Sequence, residues 1–456
     1  MENYDVIVVG GGPGGLAAAC AAKKAGAGRV LVLERDNRTG GILNQCIHDG
    51  FGLIRYKQAL AGPEYATRAT QEAVACGVEI KCGAMVVDMT ADRVITAVSR
   101  DGLHTYRAGA IVLATGCRER TRGAVMIPGT RPAGVFTAGV VQNFVNVRNI
   151  MIGRRVVILG SGDIGLIMAR RLTLEGAKVL AVVELMPNSG GLQRNISQCL
   201  YDFDIPLYTG HTVSNIYGKR NLSAVEISRV DKDNKPIPGS AWTIECDALV
   251  LSVGLIPENE VAKSAGIKLD PRNNGTVTDG YMQTSVEGIF SCGNSHAVMD
   301  LVDFVSAQGE IAGKNAAAFC SGGTMEEWVL SRQSEPAKGI PDPNVLNCIL
   351  CPNGCRLTYE KDGTISGNKC KRGIQYAQQE RTAPVRTLTL TVRTAAGALV
   401  PARTAEPVPK AKLLDAVSVL QRITLPNRAY SCGDILVEDF FGTKVVATAD
   451  IQASDM

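Results

Sequence analysis

The sequence contains no run approaching the roughly 20 apolar residues that a membrane-spanning helix needs. Its apolar start, residues 5–12, is too short and too rich in glycine for a secretory signal peptide, which favours the cytoplasm. The chain also lacks a strong charge of either sign, because its net charge is only +4 over 456 residues. These absences argue against membrane insertion and against binding to nucleic acid.

Fourteen cysteines are many for a cytosolic chain, and without an export signal they do not indicate a framework of disulfides. Four of them lie close together between Cys348 and Cys370, and such clustering indicates metal ligation by reduced thiols. The other ten are scattered, and most are expected to be small buried apolar side chains. At about 150 residues per domain, the length suggests roughly three domains.

A short apolar strand, a glycine turn, a helix and a second strand are predicted twice along the chain. The first set covers residues 4–9, 16–25 and 29–34, and the second covers residues 154–159, 165–175 and 178–184. Each set is a βαβ unit, which is typical of a parallel sheet with helices on its faces. The predicted fold class is therefore α/β, with two Rossmann-like dinucleotide-binding domains.

The first glycine turn carries the pattern Gly10-x-Gly12-x-x-Gly15 between its strand and its helix. The first glycine permits a tight turn, the second lets the backbone approach a pyrophosphate, and the third allows close packing of helix on strand. Free N–H groups at the helix N-terminus favour the phosphate charge. Glu34 ends the next strand, where it can accept hydrogen bonds from a ribose.

Residues 5–15, with Glu34 and the pair Gly40-Gly41, resemble the two-dinucleotide flavoproteins of the pyridine nucleotide-disulfide reductase superfamily, and the likeness extends over roughly residues 4–320. In that superfamily the N-terminal unit binds FAD. The resemblance implies FAD contacts from Gly10, Gly12, Gly15, Glu34, Arg35, Gly41, Thr115, Gly116, Gly293 and Asn294. The superfamily usually has aspartate where Asn294 stands, bonded to the ribityl chain, and asparagine can still form a hydrogen bond there.

The second glycine turn repeats the pattern as Gly160-x-Gly162-x-x-Gly165, and Glu184 ends the strand that follows. A carboxylate at this position suits a free ribose 2′-hydroxyl and repels a 2′-phosphate. No arginine occurs in residues 185–188, so the motif predicts NAD(H) in preference to NADP(H). A later strand of the same unit ends at Gly254, which we also expect beside the nucleotide. The alternative is a Rossmann unit that no longer binds a nucleotide.

Two histidines and one cysteine are candidates for chemistry beside the flavin. Disulfide reductases carry a redox-active cysteine pair in the segment that matches residues 40–48, whereas only Cys46 is present here. Cys46 is either a reactive thiolate, as in related peroxidases, or a structural cysteine. His48 is a candidate base or orders its loop. His296 could contact substrate, and we expect Asp303 nearby to cap a helix.

Cys348-x-x-Cys351-x-x-x-Cys355, followed by 14 residues and Cys370, is the most specific metal motif in the chain. Structural zinc prefers two separated Cys-x-x-Cys knuckles. A tight triple with one remote thiolate suits a [4Fe–4S] cluster, with zinc as the alternative. The pattern resembles the iron–sulfur domain at the start of molybdopterin oxidoreductases, whose last cysteine is likewise followed by lysine. The segment 345–456 also resembles an uncharacterised cysteine-rich domain family associated with such flavoproteins.

The motifs predict four segments. The FAD domain is discontinuous, at 1–120 and 255–330, with the NAD(P) domain at 121–254 inserted between its parts. A proline-rich linker at 331–344 leads to a small α+β, cysteine-rich domain at 345–456. In that last domain a helix over 410–422 is predicted, with its apolar face formed by Leu413, Leu414, Val417 and Leu420.

The central segments 114–120 and 132–146 resemble the FAD/NAD-binding subunits of dye-linked proline dehydrogenase, opine oxidase and hydrogen cyanide synthase, and related chains accompany anaerobic glycerol-3-phosphate dehydrogenases. The resemblance implies a partner, a flavoprotein that oxidises the substrate. We expect a hydride to pass between nicotinamide C4 and flavin N5, and electrons then to reach the cluster. The alternatives are an NADH oxidase or peroxidase using Cys46, and a redox-sensing or scaffold protein with structural zinc.

Overall fold

A computed structural model describes residues 1–329 and 345–452, so the linker predicted at 331–344 lies outside the described residues. The chain forms two compact units. The described part of the first comprises residues 1–118, 255–329 and 448–450, and that of the second comprises residues 119–254, 345–447 and 451–452. The α/β fold class is confirmed, while the boundaries between cofactor domains stay a prediction.

A seven-stranded sheet forms the centre of the first unit. Five strands are parallel: Glu79–Cys82, Val30–Glu34, Glu2–Val9, Gly102–Leu113 and Ile289–Ser291. An antiparallel extension follows through Val94–Ser99 and Met85–Met89. Val6 and Val8 belong to one apolar cluster, whereas Ile7 and Val9 belong to another. Successive side chains of a strand point to opposite faces, so both faces of this sheet are buried.

The helices of the first unit pack on this sheet. The glycine loop lies between strand Glu2–Val9 and helix Pro13–Lys24. They are Pro13–Lys24, Gly62–Ala75, Glu260–Ser264 and Val302–Ser321, with short 3₁₀ helices Gly41–Gln45 and Gly293–Ser295 and a small pair of strands, Asp49–Phe51 and Leu60–Ala61. The strands Cys117–Glu119 and Leu255–Pro257 lie where the chain passes from one unit to the other. Across residues 1–329 and 345–452, no helix is both long enough and apolar enough to cross a bilayer.

The second unit contains a five-stranded parallel sheet. Its spatial order is Val135–Thr137, Ala248–Leu251, Arg155–Leu159, Lys178–Glu184 and Leu207–Thr209. An antiparallel sheet of His211–Gly218, Leu222–Arg229 and Trp242–Glu245 follows. The helices in this part are Arg122–Val125, Ala138–Asn146, Asp163–Leu174 and Gln193–Cys199, with a 3₁₀ turn at Tyr201–Phe203. The glycine loop joins Arg155–Leu159 to Asp163–Leu174, as the second motif predicts.

The C-terminal part of the second unit adds short sheets and two helices. A five-stranded sheet has the order Thr424–Leu425, Thr389–Thr394, Leu399–Thr404, Thr443–Ala447 and Ile435–Phe440. The cysteine segment contains the strands Leu346–Asn347, Arg356–Tyr359 and Ile365–Ser366 and the helix Lys371–Thr382, followed by the strand pair Val385–Arg386 and Val408–Pro409.

The helix predicted at 410–422 forms in two pieces, a 3₁₀ turn Lys410–Lys412 and the α-helix Leu413–Leu420. Three residues of its predicted apolar face are buried, but the prediction for Leu414 is wrong, because this side chain is 55% exposed. An α-helix turns by about 100° per residue, so Leu413 and Leu414 cannot face the core equally well.

Candidate cofactor and cluster sites

The first glycine loop has the geometry of a phosphate cradle. A Cβ atom at Gly15 would lie 1.9 Å from the Gly10 carbonyl oxygen, so this close approach of helix and strand excludes any side chain. A Cβ atom at Gly12 would meet nothing within 4 Å. Gly12 is also the N-cap of helix Pro13–Lys24, and no side chain caps that helix. Free N–H groups and open space at a helix N-terminus fit an anionic pyrophosphate.

Glu34 is buried beside this loop and is held by backbone donors. One carboxylate oxygen accepts the Gly11 N–H at 2.7 Å, and the other accepts the Asp36 N–H at 2.8 Å. Burial raises the pKa of Glu34, and the two N–H groups oppose that shift. Arg35, the next residue, is exposed. The carboxylate is therefore fixed at the end of its strand, where a ribose is expected.

The segment after Glu34 folds back onto the glycine loop. The Gly40 N–H donates to the Gly11 carbonyl at 2.8 Å, and a Cβ atom at Gly41 would lie 3.2 Å from the Cα of Gly12. Cys46 follows the 3₁₀ helix Gly41–Gln45 and is half-buried. Gly40, Gly41 and Cys46 thus lie on one short segment, whose start packs against the glycine loop.

His48 and His296 belong to separate parts of the first unit. The His48 ring packs edge-on against Phe51, with the ring centroids 4.7 Å apart. His296 donates from Nδ1 to the Thr276 carbonyl at 2.9 Å. Both histidines are half-buried.

The expectation that Asp303 caps its helix is wrong. Helix Val302–Ser321 has Leu301 as its N-cap and no side-chain cap. The buried Asp303 carboxylate instead accepts the N–H groups of Ile54 and Arg55, both at 3.3 Å. It ties this helix to a segment about 250 positions earlier in the chain.

Two turns that follow strands are also expected beside the flavin. They are Thr115-Gly116, after strand Gly102–Leu113, and Gly293-Asn294, after strand Ile289–Ser291. The Thr115 hydroxyl donates to the Glu258 carbonyl at 2.6 Å, and the Glu258 N–H donates to the Gly116 carbonyl at 3.0 Å. The Gly293 N–H donates to the Gln308 side chain at 2.7 Å.

Asn294 is the residue that departs from the aspartate of the superfamily. Its amide nitrogen donates to the Cys117 sulfur at 3.4 Å, and its amide oxygen accepts the Met299 N–H at 3.1 Å. Asparagine thus uses both its donor and its acceptor, whereas a carboxylate could only accept.

The second glycine loop reproduces the first, 150 positions later. A Cβ atom at Gly165 would lie 2.3 Å from the Gly160 carbonyl oxygen, while one at Gly162 would meet nothing within 4 Å. Gly162 is the N-cap of helix Asp163–Leu174, again without a side-chain cap. The residues present therefore fit a second nucleotide pyrophosphate. Gly254 is exposed, and its carbonyl accepts the Arg120 N–H at 2.9 Å.

The Glu184 carboxylate accepts hydrogen bonds from two backbone N–H groups, as Glu34 does, and one more from a side chain. Its Oε2 accepts the Ser161 N–H at 2.8 Å and the Ser161 hydroxyl at 2.6 Å, and its Oε1 accepts the Met186 N–H at 2.9 Å. Both Ser161 and Glu184 are buried. Ser161 stands where the first loop has Gly11, so the hydroxyl bond is particular to the second loop.

Sequence reasoning missed a second contact segment in this unit. A Cβ atom at Gly190 would lie 3.9 Å from the Cα of Gly162, which repeats the contact between Gly41 and Gly12. The Asp163 carboxylate accepts the Leu192 N–H at 2.7 Å and the Asn195 amide at 2.8 Å. The signal was present in the sequence, because Gly190-Gly191 follows Glu184 at the same spacing as Gly40-Gly41 follows Glu34.

The four clustered cysteines lie on one loop and one helix end. Cys348 and Cys355 are buried, Cys351 is half-buried, and Cys370 is exposed as the N-cap of helix Lys371–Thr382. The Cys348 N–H donates to the Cys355 carbonyl at 2.9 Å. This hydrogen bond closes the loop of residues 348–355, which we call the cysteine knuckle. Over residues 1–329 and 345–452, no three His, Cys, Asp or Glu side chains form a group that could hold a metal ion.

The four cysteines supply thiols, which are the donors that iron–sulfur clusters use. Burial raises the pKa of the Cys348 thiol, and the charges of Cys351, Cys355 and Cys370 raise it further, so the four groups lie within electrostatic reach. The Gly373 N–H, and then that of Arg372, lower the pKa of Cys370. Four thiols, one of them at a helix N-terminus, form a donor set suited to soft metals.

The loop of residues 348–355 contacts the start of helix Gln193–Cys199, in the same unit as the second glycine loop. A Cβ atom at Gly354 would lie 3.1 Å from the Cβ of Gln193 and 3.6 Å from the backbone nitrogen of Arg194. Arg194 is 7% exposed, and its Nε has no hydrogen-bond partner in the described parts of the chain. A buried guanidinium donor without a partner suits a neighbouring anionic group.

An ion network joins the C-terminal part to the same parallel-sheet part of the second unit. Arg386 donates to both oxygens of Asp202, at 2.6 and 3.0 Å, and to both oxygens of Glu380. Lys410 also pairs with Asp202 at 2.6 Å. Burial alone would raise the pKa of Asp202, but the hydrogen bonds and charges of Arg386 and Lys410 lower it overall.

Two glycine cradles, each followed by a strand-end glutamate, define a protein that binds two dinucleotides. A family model described as pyridine nucleotide-disulphide oxidoreductase matches residues 4–309, which is more than half of the chain. The chain therefore belongs to this family, and it is an oxidoreductase. Membership supports FAD and a nicotinamide dinucleotide as cofactors. A second family, described as a protein of unknown function (DUF1667), matches residues 371–449.

Relatives match most of the length of this chain. Thioredoxin reductase of Listeria monocytogenes is 29% identical over 343 residues, which cover 74% of this chain and 98% of the relative. An opine oxidase subunit of Agrobacterium tumefaciens is 26% identical over 396 residues, 80% of this chain and 76% of the relative. The crystal structure of T. acidophilum thioredoxin reductase shares the fold, with a TM-score of 0.57 at 23% identity, over 70% of this chain and 99% of that one.

Proposed function

We propose that the protein passes electrons between NAD(H), FAD and a [4Fe–4S] cluster, as the electron-transfer component of a dehydrogenase complex. The observation that carries the proposal is the contact of the cysteine knuckle with the second nucleotide-binding part. Gly354, between two of the cysteines, packs on Gln193 and Arg194, and this helix is tied to the glycine loop through Asp163. The proposed cluster ligands therefore lie on a loop that packs against a helix tied to the second glycine loop.

When bound, the nicotinamide supplies a hydride, the flavin accepts two electrons and can release them singly, and the cluster carries one electron at a time. The protein's own residues bind and orient these groups. Gly12 and Gly162 leave open space at helix N-termini that would take phosphate, and Glu34 and Glu184 would accept hydrogen bonds from the riboses. We assign FAD to the first cradle and the nicotinamide nucleotide to the second.

We further propose NAD(H) in preference to NADP(H). The Glu184 carboxylate is held by three hydrogen bonds and so cannot turn away from a 2′-phosphate without breaking them. Steady-state reduction by each nucleotide tests this assignment. We expect a higher kcat/KM with NADH, and a clear preference for NADPH would overturn it.

Cys348, Cys351, Cys355 and Cys370 are the proposed cluster ligands, and metal analysis tests them without any activity assay. We expect close to four iron and four sulfide per chain in anaerobically prepared protein. Cys355→Ser should lose the iron, whereas Cys432→Ser, a half-buried cysteine elsewhere in the C-terminal part, should keep it. One equivalent of zinc without iron would replace the cluster by a structural zinc site and favour the redox-sensing or scaffold alternative.

The proposed partner is a flavoprotein that oxidises the substrate, of the glycerol-3-phosphate or amino-acid type. Similarity to the opine oxidase chain, which is a subunit by name, supports assembly with another chain. Affinity purification from the native cell tests this, since the partner should copurify in a fixed ratio and carry its own flavin. Purification of the chain alone from native extract, under gentle conditions, would count against the partner.

A second candidate is an NADH oxidase or peroxidase that uses Cys46. The observation in its favour is that half-buried Cys46 ends the short helix that begins at Gly41, beside the first cradle. Cys46→Ser should abolish turnover with oxygen or peroxide under this alternative. The proposed electron-transfer function predicts that the same variant keeps most of its NADH-to-dye activity.

A further inference from the structure

Cys20 and Cys76 form a close pair of thiols on the first unit, away from the cysteines considered above. Their Sγ atoms are 2.6 Å apart, and a disulfide bond measures about 2.05 Å. Cys20 lies in helix Pro13–Lys24, and Cys76 is the C-cap of helix Gly62–Ala75. No disulfide bond joins them in the structure. The two helices therefore hold the sulfurs close to bonding distance.

The two sulfurs differ in accessibility. Cys20 is buried, and burial raises the pKa of its thiol to about 11, whereas Cys76 is half-exposed. The Cys20 thiol is directed toward the last turn of the second helix, 4.0 Å from the Glu72 carbonyl. A reagent in solution would therefore react with Cys76 first, and the buried Cys20 thiol would react second.

A charged cavity of about 590 Å³ opens beside Cys20 and is lined by Cys20, Lys24, Arg55, Glu310 and Lys314 among others. Such a volume suits a small molecule. Arg55 pairs with Glu310 and Glu72, and Lys314 pairs with Glu326. Lys24 has no ion pair with a carboxylate among the described residues, and its ammonium lies close enough to Cys20 for the sulfur to raise the pKa of Lys24.

We propose that Cys20 and Cys76 are a dithiol site that reduces a low-molecular-weight disulfide bearing carboxylates. The cavity provides the room, and Lys24 provides the charge that selects an anionic molecule. Nothing in the proposed electron-transfer function requires this pair.

The exchange proceeds through two substitutions at sulfur. Cys76, as its thiolate, attacks one sulfur of the small disulfide, a mixed disulfide forms, and one small thiolate leaves. Cys20 then gives up its proton and attacks the Cys76 sulfur, so that the second small thiolate leaves. Two cysteine thiols are oxidised to one disulfide, and one small disulfide is reduced to two thiols that take up the two protons.

Peptide mapping of the whole protein tests the site directly. Trypsin separates the two cysteines cleanly, because residues 1–23 contain only Cys20 and residues 69–81 contain only Cys76. After exposure to glutathione disulfide and alkylation of the remaining thiols, we expect these two peptides to be linked, with two thiols lost per chain. Cys82→Ser, which removes an exposed cysteine nearby in sequence, should give the same link.

Two further experiments test the charge selectivity of the site and the order in which the two cysteines react. Cystamine, a cationic disulfide, should react severalfold more slowly than glutathione disulfide, and Lys24→Gln should remove that difference. Cys20→Ser should stop at a mixed disulfide on Cys76, and Cys76→Ser, at the more exposed position, should prevent the reaction. Free Cys20 and Cys76 after treatment, or equal rates with both reagents in the unmodified protein, would overturn the proposal.

Discussion

Ser161 donates two hydrogen bonds to a single oxygen of Glu184, from its N–H at 2.8 Å and from its hydroxyl at 2.6 Å. In the first unit the Gly11 N–H makes the equivalent bond to Glu34, without a hydroxyl. The two cradles therefore share one backbone design, and the second fixes its carboxylate more tightly. Hydrogen bonds to charged groups contribute about 1.5–3 kcal/mol each.

Alanine substitutions at the first cradle should separate binding from folding. Gly12→Ala adds a Cβ where the protein has open space, so the chain should fold but bind FAD at least about tenfold more weakly, a loss of about 1.4 kcal/mol. Gly15→Ala drives a Cβ to 1.9 Å from the Gly10 carbonyl, so the fold itself should be destabilised. Flavin content and thermal unfolding check both variants. Two variants with equal stability losses and equal flavin contents would contradict this assignment.

Removing the Ser161 hydroxyl should weaken nucleotide binding without affecting the flavin. Ser161→Gly copies the residue found in the first loop and deletes one bond to Glu184. We expect the Kd for NADH to rise by about tenfold, since a charge-assisted bond is lost. Isothermal titration measures the change. Loss of flavin in this variant would show that the second loop does not act independently.

Acid should weaken the link between Asp202 and Arg386. The folded-state pKa of Asp202 lies below its ordinary value of 3.8, so the contribution of the ion pair is present above pH 3.8 and is lost as pH falls through the lowered pKa. Asp202→Asn should reduce the free energy of unfolding by about 3 kcal/mol at pH 7, because the pair is buried. The difference from the unmodified protein should shrink below pH 3.8.

Urea unfolding at several pH values measures this effect. Asp270→Asn is the matched control, because the Asp270–Arg272 pair also lowers a carboxyl pKa but its arginine is 86% exposed, and its loss should change stability little. Equal losses in the two variants at pH 7 would contradict the argument from burial.

Three scattered cysteines should be inert in the folded protein. Burial raises the pKa of Cys199, Cys246 and Cys292 to about 12. At pH 8 only about one in ten thousand of these thiols would be ionised, so iodoacetamide should leave them unmodified until denaturant is added. Mass spectrometry of alkylated peptides checks this. Labelling of Cys292 at the rate of exposed Cys82 would contradict it.

Local spacing explains what could be predicted from the sequence. Gly10, Gly12, Gly15 and Glu34 signal a cradle because strand, turn and helix are contiguous, and the four clustered cysteines are recognisable for the same reason. The contact of Gly190 with the second loop is equally local, because Gly190-Gly191 follows Glu184 at the spacing of Gly40-Gly41 after Glu34.

Long-range contacts could not be predicted in this way. Arg386 meets Asp202 across 184 positions, and the Asp303 carboxylate is taken by N–H groups some 250 positions away rather than by its own helix. In an isolated helix, a carboxylate near the first turn would be expected to cap the helix. In the folded chain the Asp303 carboxylate accepts the N–H groups of Ile54 and Arg55 instead. The pairing of Cys20 with Cys76 likewise depends on how two helices pack, which no single-chain pattern reveals.

An anaerobic visible spectrum of the purified protein, recorded before and after addition of NADH, tests the central claim most directly. We expect a flavin spectrum with an added broad iron–sulfur absorption, and both should bleach on addition of NADH. A flavin spectrum alone, from protein prepared under conditions that preserve clusters, would contradict the proposed transfer of electrons to Cys348, Cys351, Cys355 and Cys370.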